Sequence, residues 1–198
     1  MNFSSILVLA LLTIVSYVGA SKCKRKVPDN HHGAPSHTVI KEEQPVTSGD
    51  LKLSLPVLSA EWNVKIKFLI TGFPVPHSKY CAIFRMSNGD VYGTRTPAIS
   101  VNTETSKLIV ASAVSGNANR YKLTSFQTNT WYDVEVDQSY KGNGIYQYSI
   151  IVNGDQIASE VNTQAIQFYN VGVYAGHPFP SQLSCTGVIS YLKVTNFL

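Results

Sequence analysis

Apolar and polar residues alternate with a period of two over much of the chain beyond residue 48, and the pattern is clearest in residues 126–159. This stretch reads FQTNTWYDVEVDQSYKGNGIYQYSIIVNGDQIAS and predicts three consecutive strands joined by two turns. Its middle strand alternates from Tyr146 to Val152, with the turn Lys141-Gly142-Asn143-Gly144 before it and Asn153-Gly154 after it. Asn-Gly between alternating apolar residues is a strong hairpin signal, because both central residues of a type I′ turn need a positive φ. The stretch therefore predicts an antiparallel all-β protein.

A second alternating segment, residues 61–71, places Trp62 and the apolar residues after it on one face and Lys65 and Lys67 on the other. That period of two predicts a half-buried strand. Residues 115–120 are rich in Ser, Gly and Asn and predict a loop. Many short strands at this spacing, without a helical period, indicate a β-sandwich or barrel. The further strands predicted from the sequence are 51–55, 80–86, 91–94, 98–101, 108–112, 121–123, 171–175 and 188–194.

The first 48 residues differ in composition from the rest of the chain. Residues 1–20 carry an apolar run at 6–15 and end in Val-Gly-Ala, which is typical of a secretory signal peptide with its cleavage site. The run is too short to serve as a membrane anchor. Residues 21–48 contain three prolines and aperiodic apolar residues, and they predict a disordered basic leader. A single secreted domain is therefore expected over residues 49–198.

The chain has three cysteines, Cys23, Cys81 and Cys185. Disulfides form along the exported route, because it is oxidising. Cys81 and Cys185 both lie inside the predicted domain, and we expect them to bond to each other. Cys23 lies in the leader and either links two chains as a disulfide-bonded dimer or is removed by processing.

The net charge of +4 is modest and does not indicate a nucleic-acid-binding surface. His31, His32 and His37 could hold a metal ion weakly, but neither a Cys nor an acid completes a set of ligands, so these histidines are interpreted as incidental. The sequence contains no serine elbow, phosphate-binding loop or zinc-protease motif.

In chain order these features resemble a laminin-G-like domain of the concanavalin-A-like jelly-roll class. Trp131 precedes a V-x-V strand, Asn153-Gly154 ends a hairpin, Gly176 ends VGVYAG, and the closing strand TGVISYLKVTN carries Gly187 and Leu192. The resemblance implies a two-sheet antiparallel sandwich over residues 50–198. It implies that the strand 62–70 pairs with the strand 188–194, which brings Cys185 toward Cys81. It also implies that Trp131 anchors the core.

The same resemblance raises two kinds of chemistry, calcium binding and glycoside hydrolysis. The calcium candidates at the rim, Asp90 and Asp155, have no obvious carboxylate partner, so no cofactor is expected and calcium is kept only as an alternative. Glu135 and Asp137 could act as a pair of carboxylates for glycoside hydrolysis. With Asp133 they are interpreted instead as an outward, solvated acidic stripe, and the chain is predicted not to be an enzyme.

Two function hypotheses of different class follow from the sequence. The first is an extracellular matrix or adhesion module that acts by surface contact with matrix proteins or glycans. The second is a lectin-like module whose rim binds a glycan, although the sequence favours an ordinary surface position for each candidate residue taken singly. A weaker variant is polyanion binding by Lys65, Lys67 and Lys193, which share one face if the first and last strands pair. The candidate rim residues are Tyr92, Arg95, Asn117, Asn119, Arg120, Tyr140 and Tyr174.

Overall fold

A computed structural model describes residues 36–74, 78–88, 95–180 and 183–197 of the chain. These residues form thirteen strands arranged in two antiparallel sheets. The described part of the chain contains no helix of the length and apolarity needed to cross a membrane. The two antiparallel sheets confirm the predicted all-β jelly-roll sandwich.

The seven-stranded sheet has the strand order β1-β13-β4-β9-β10-β11, and β2 pairs with β13 beside that path. Its strands are β1 (Ser36–Ile40), β2 (Gln44–Pro45), β4 (Trp62–Gly72), β9 (Trp131–Gly142), β10 (Ile145–Val152), β11 (Asp155–Asn162) and β13 (Thr186–Asn196).

The six-stranded sheet has the strand order β3-β12-β5-β6-β7-β8. Its strands are β3 (Leu51–Leu58), β5 (Tyr80–Ser87), β6 (Ala98–Asn102), β7 (Lys107–Val114), β8 (Asn117–Ser125) and β12 (Phe168–Tyr174).

The hairpins predicted for residues 126–159 are confirmed as β9, β10 and β11, which pair consecutively. Both turns have the predicted geometry, since φ is 51° at Asn143 and 73° at Gly144, and 52° at Asn153 and 90° at Gly154. Positive φ at both central positions matches the right-handed twist of the flanking strands. The predicted pairing of the first long strand with the last is also confirmed, because β4 and β13 are hydrogen-bonded neighbours.

The core lies between the inner faces of the two sheets. Trp62 and Phe68 of the seven-stranded sheet are fully buried, as is Phe84 of the six-stranded sheet. One buried hydrogen bond joins the sheets, from Tyr148 Oη to Ser112 Oγ at 3.0 Å. Burial raises the pKa of Tyr148 above its usual value, although the bond to Ser112 acts in the opposite direction. The phenol therefore stays neutral and serves as a fixed polar contact within the apolar layer.

The predicted disulfide between Cys81 and Cys185 is confirmed, and it closes a loop with a sequence separation of 104. Both sulfurs are buried. The flanking backbone is also fixed, because Ala82 N donates to Leu183 O and Cys185 N donates to Ala82 O. The segment just before β13 is thereby held against the start of β5. Cys23 and the predicted signal peptide lie outside the described residues.

The predicted boundary of the folded domain at residue 49 is wrong. Within the segment assigned to a disordered leader, β1 and β2 pair with β13, and Ile40 is buried in the core. Residues 36–40 form the edge of the sheet and contribute a single deeply buried side chain. One buried apolar side chain does not produce the alternation by which a strand is recognised in a sequence.

The predicted role of Trp131 as a core anchor is also wrong. Trp131 is 38 % exposed, and Tyr132 takes the core position, stacking on Phe68 at 5.7 Å between ring centroids. Side chains alternate along a strand, so the face that carries Val134 must also carry Tyr132 and cannot carry Trp131. The fully buried tryptophan of this sandwich is Trp62.

The loop predicted at residues 115–120 is instead mostly the start of β8. Only Ser115-Gly116 turns the chain, again with both φ values positive, at 50° and 74°. By contrast, the backbone does approach other groups closely at Gly176 and Gly187, two of the glycines on which the resemblance rests. A Cβ at Gly176 would collide with the Thr47 carbonyl oxygen, and one at Gly187 with that of Leu69.

Candidate functional site: a groove on the outer face of the six-stranded sheet

The six-stranded sheet carries a groove of about 810 Å³ on its outer face, across β5, β6, β7 and β8. Strand alternation produces it directly. On β6, the side chains of Ile99 and Val101 are fully buried, whereas those of Ala98 and Ser100 are only partly buried and face the groove. We use the term groove for this surface, whose principal side chains are Tyr80, Arg85, Arg95, Tyr121, Leu123 and His177.

Part of the floor of the groove is formed by small side chains that lie in the middle of the sheet, between larger ones. In one row, Arg85 on β5 lies opposite Ala98 on β6. Ala111 on β7 lies opposite Ala98, and Tyr121 on β8 completes the row. Two alanines between two large side chains leave a depression, and the pairing register of the strands fixes its position.

One wall of the groove is formed by Tyr121 and Leu123 on β8. Tyr121 is 55 % exposed and Leu123 is 52 % exposed. They point outward because the intervening Lys122 and the preceding Arg120 point to the inner side, where both bind Glu160 of β11 at 2.9–3.0 Å. Tyr80, at the start of β5, adds a second exposed ring to the lining. The groove thus presents apolar and aromatic surface that no described part of the chain covers.

The groove also contains two guanidinium groups and an imidazole. Arg85 is 4 % exposed, and its Nη1 lies 3.1 Å from Nε2 of His177. Arg95 precedes β6, and its carbonyl accepts a hydrogen bond from Ala113 N at the end of β7. The nearby amide of Asn119 lines the groove as well, and its buried Oδ1 has no hydrogen-bond partner among the described residues.

The loop that carries His177 is held by several polar contacts. His177 N donates to Ser184 Oγ at 3.0 Å, and Ser184 Oγ in turn contacts Ser48 Oγ at 2.8 Å. The disulfide fixes the chain directly after Ser184, and Leu183 just before it lines the groove. The covalent bond between Cys81 and Cys185 therefore supports one side of the groove.

Acidic side chains do not line the groove within the described part of the chain. The acids predicted as an outward stripe lie on the outer face of the seven-stranded sheet, as predicted. There the amide of Asn63 donates to Glu135 at 2.7 Å and to Asp137 at 3.1 Å. The two carboxylates are engaged with the same amide on the outer face of the sheet. The described residues contain no group of three or more His, Cys, Asp and Glu side chains that could hold a metal ion.

The predicted rim residues do not form one cluster. Arg95 and Asn119 line the groove, and Tyr174 lies directly opposite Arg85 in the neighbouring strand. Three others are elsewhere. Asn117 is exposed at the start of β8, and Arg120 binds Glu160 between the sheets. Tyr140 packs against Tyr146 in the seven-stranded sheet, with the two ring planes inclined by 60°. Tyr92 and the calcium candidate Asp90 lie outside the described residues.

The predicted polyanion patch is brought together but is neutralised by neighbouring acids. Lys193 pairs with Lys65 across β13 and β4, and Lys67 follows on the same face. Lys65 is bound to Glu135 at 3.1 Å. Lys67 lies opposite Asp133, with its Nζ 5.5 Å from the ring centroid of Trp131. Lysines and carboxylates are interleaved on this face, so it does not present the excess positive charge that a polyanion needs.

Sequence reasoning missed the main side chains of the groove: Tyr80, Arg85, Tyr121, Leu123 and His177. One signal was available, since residues 117–125 alternate between polar and apolar side chains from Arg120 to Thr124. The alternation contains only two apolar residues and predicts no more than the short strand 121–123. In the structure those two face solvent and not the core.

No protein-family model and no curated protein matches this chain. Solved structures do resemble it. The CBM40 of the Ruminococcus gnavus IT-sialidase, in a structure with bound α2,3 sialyllactose, aligns with a TM-score of 0.55 and 16% identity, covering 82% of this chain and 95% of that chain. A native heptameric SAP-like pentraxin from Limulus polyphemus aligns with a TM-score of 0.52 and 16% identity, covering 78% of this chain and 76% of that chain. At such identities the likeness establishes the fold alone, and the chain is a concanavalin-A-like jelly-roll sandwich.

Proposed function

We propose that this chain is a carbohydrate-binding protein whose saccharide occupies the groove. The observation that carries the proposal is the pair of exposed rings, Tyr80 and Tyr121, beside a floor of small residues in a concave surface. Binding sites for small molecules are concave, mostly apolar, and furnished with a few polar groups that fix the orientation of the ligand. The groove is concave and combines aromatic and apolar side chains with polar ones in similar measure, so it is more polar than most such sites.

The chemistry of the lining suits a sugar in particular. Sugar rings have apolar C–H faces that pack on aromatic rings, and their edges carry hydroxyl groups that need hydrogen-bond partners. Tyr121 and Leu123 offer the apolar surface. Hydroxyl and amide groups of the lining come from Ser100, Asn102 and Asn119. A flat, fully apolar ligand would leave these polar groups without partners.

The structural comparisons are consistent with this proposal. The CBM40 that aligns along most of this chain holds α2,3 sialyllactose in its solved structure. Folds host many functions, so this likeness adds to the argument from the groove and does not replace it.

We further propose that the chain binds without catalysis and acts outside the cell. Glycoside hydrolysis generally needs two carboxyl groups across the bond to be cleaved, and no described residue of the groove supplies one. The disulfide is typical of proteins in oxidising compartments. The narrower laminin-G-like assignment stays a hypothesis resting on Gly176, Gly187 and the closing strand. Matrix adhesion through Cys23 rests on a residue outside the described part, and no described contact favours it.

The proposal is tested with a glycan array followed by calorimetric titration of the tightest-binding saccharide. Tyr121→Ala should weaken binding by roughly tenfold or more, because truncating a central aromatic contact commonly costs more than 1 kcal/mol. Tyr169→Ala is the matched control. Tyr169 is 59 % exposed, belongs to the same sheet and does not line the groove, so its removal should leave affinity unchanged. Incubation with the bound saccharide should yield no cleavage products.

Two results would overturn the proposal. One is an array without any saccharide that the folded protein binds. The other is a saccharide whose affinity is the same for the native chain and Tyr121→Ala, which would place the ligand elsewhere.

A further inference from the structure

We propose that the groove selects saccharides bearing a carboxylate or sulfate group, and that this anionic group lies against Arg85 and Arg95. The inference rests on the proposed carbohydrate binding and specifies its ligand class. It is carried by the placement of the two guanidinium groups and by the distribution of acids over the molecule.

Arg85 is placed to act on a ligand from the base of the groove. It lies on the outer side of β5, in the row that runs through Ala98 to Tyr121, and it is 4 % exposed. A guanidinium so far removed from water interacts with an anion more strongly than one on an open surface. His177 contacts its Nη1 at 3.1 Å, which restricts the side chain to a defined orientation. Planar guanidinium groups match carboxylate and sulfate oxygens in geometry.

Arg95 provides the second cation. It lies just outside β6, where its carbonyl is bound by Ala113 N, and its side chain reaches the same lining. The internal segments outside the description, residues 75–77, 89–94 and 181–182, add a single carboxylate by sequence, Asp90. Even with Asp90 counted, these segments add one carboxylate, whereas the groove contains two guanidinium groups.

Acids are concentrated elsewhere on the molecule. Asp133, Glu135 and Asp137 lie on the outer face of the other sheet, where Asn63 and Lys65 engage two of them. Glu160 is bound by Arg120 and Lys122 between the sheets. An anion that enters the groove therefore meets no described carboxylate in its lining, and the nearest described cations attract it.

The distance between Arg85 and Tyr121 indicates that the ligand is a charged sugar and not an inorganic ion. Arg85 and Tyr121 stand three strands apart, which is roughly 14 Å between backbones at ordinary strand spacing. An inorganic ion at Arg85 would leave Tyr121 and Leu123 uncovered. A short saccharide can place its anionic group at the arginine and a ring face on the apolar wall at once.

The test compares matched acidic and neutral saccharides by calorimetric titration of the full chain: α2,3-sialyllactose against lactose, and a sulfated galactoside against the unsulfated one. We expect the acidic member of at least one pair to bind at least tenfold more tightly. The advantage should shrink as salt rises, because screening weakens charge attraction. The pair with the larger ratio of acidic to neutral affinity shows whether the groove prefers a carboxylate or a sulfate. Inorganic sulfate alone should bind weakly or not at all.

Three variants locate the effect. Arg95→Gln should reduce the ratio of acidic to neutral affinity by roughly tenfold, since a hydrogen bond to a charged group contributes about 1.5–3 kcal/mol. Arg85→Gln should do the same, and Arg95→Gln decides the matter if the buried substitution at Arg85 prevents folding. Lys107→Gln makes the same charge change on β7 outside the groove lining and should leave the ratio unchanged.

The two proposals fail in different ways. Equal affinity for the acidic and neutral members, with Tyr121→Ala still weakening both, would overturn the acidic preference and leave carbohydrate binding intact. An acidic preference that Lys107→Gln reduces as much as Arg95→Gln would also overturn the assignment to Arg85 and Arg95. Binding of neither member of any pair, and of no saccharide on the array, would overturn both proposals.

Discussion

Nη1 of Arg85 lies 3.1 Å from Nε2 of His177, and this contact joins β5 to the loop that follows β12. A guanidinium only donates hydrogen bonds, so Nε2 must be the acceptor. His177 is therefore a positioning residue, which holds the buried arginine in the orientation that faces the groove. With Nε2 accepting, Nδ1 carries the ring proton, so Phe179 N, 3.2 Å from Nδ1, contacts the ring without donating a hydrogen bond to it.

The first prediction concerns this pair. His177→Ala should lower the affinity for acidic saccharides several-fold, because Arg85 loses one of the contacts that orient it, while binding of neutral saccharides changes little. His177→Gln keeps an acceptor at that place and should restore most of the acidic affinity. Calorimetric titration of both variants against one acidic and neutral pair measures the difference. Equal losses for the two kinds of saccharide would show that His177 has only a general structural role.

A second prediction concerns the disulfide. Replacing both Cys81 and Cys185 with alanine should lower the free energy of unfolding by roughly 2–5 kcal/mol, because the bond closes a loop with a sequence separation of 104 and so restricts the unfolded chain. Chemical denaturation of the variant and the native chain gives the value. Saccharide affinity should fall as well, since the bond holds Leu183 and Ser184 beside β5. An unchanged unfolding midpoint would contradict this account of the disulfide.

A third prediction distinguishes the two tryptophans. Trp62→Ala should destabilise the fold by roughly 3–5 kcal/mol, because it empties a fully buried site against Tyr148. Trp131→Ala should cost no more than about 1 kcal/mol, since that ring is 38 % exposed and its best-defined partner is the ammonium of Lys67. Urea titrations of the two variants test the difference. Equal destabilisation would restore Trp131 to the core position that the sequence suggested.

A fourth prediction concerns acid stability. Burial raises the pKa of Glu160, but hydrogen bonds and charge from Arg120 and Lys122 lower it more, so the net pKa lies below its usual value of 4.5. A carboxyl whose pKa is lower in the folded state stabilises the fold above its unfolded pKa, and that contribution is lost as pH falls through the folded pKa. Stability should therefore drop on acidification below about pH 4 to 5.

Glu160→Gln isolates this contribution to acid stability. The variant should be less stable than the native chain at pH 7 and should lose less stability between pH 7 and pH 3. Glu104→Gln is the control, because its ion pair with Lys79 is exposed, with side chains 54% and 60% accessible for Lys79 and Glu104, and such pairs contribute little. Identical pH profiles for Glu160→Gln and the native chain would refute the assignment.

The sequence predicted those features that depend on local chemistry. Asn143-Gly144 and Asn153-Gly154 specify their hairpins because few other dipeptides adopt positive φ at both positions. The period of two, extended from Val134 toward the start of the strand, assigns the core position to Tyr132 and places Trp131 on the outer face. The prediction for Trp131 rested on the size of its ring instead. These outcomes show that local turn chemistry is a firmer guide than the identity of a large aromatic residue.

The groove could not be predicted in the same way. Its floor exists because Ala98 and Ala111 stand side by side, and that depends on the register between strands that the sequence does not state. The sequence predicts only a short strand at Tyr121 and Leu123 and gives no sign that both side chains are exposed to solvent. Arg85 lies among the apolar residues of β5, and its sequence neighbours do not indicate a binding role. Its position in the groove depends on β12 and on the loop of His177, which pack beside it only in the folded chain.

Chemical-shift mapping by NMR with the tightest-binding saccharide tests the central claim most directly. The account predicts that amide shifts on addition of the saccharide concentrate on the strands of the groove, in particular on residues 80–85, 98–102, 109–111 and 119–123, and on His177. Little change is expected across β4, β9 and β13, which carry the interleaved charges of the opposite face. Shifts that centre on Lys65, Lys67 and Trp131 instead would contradict the account.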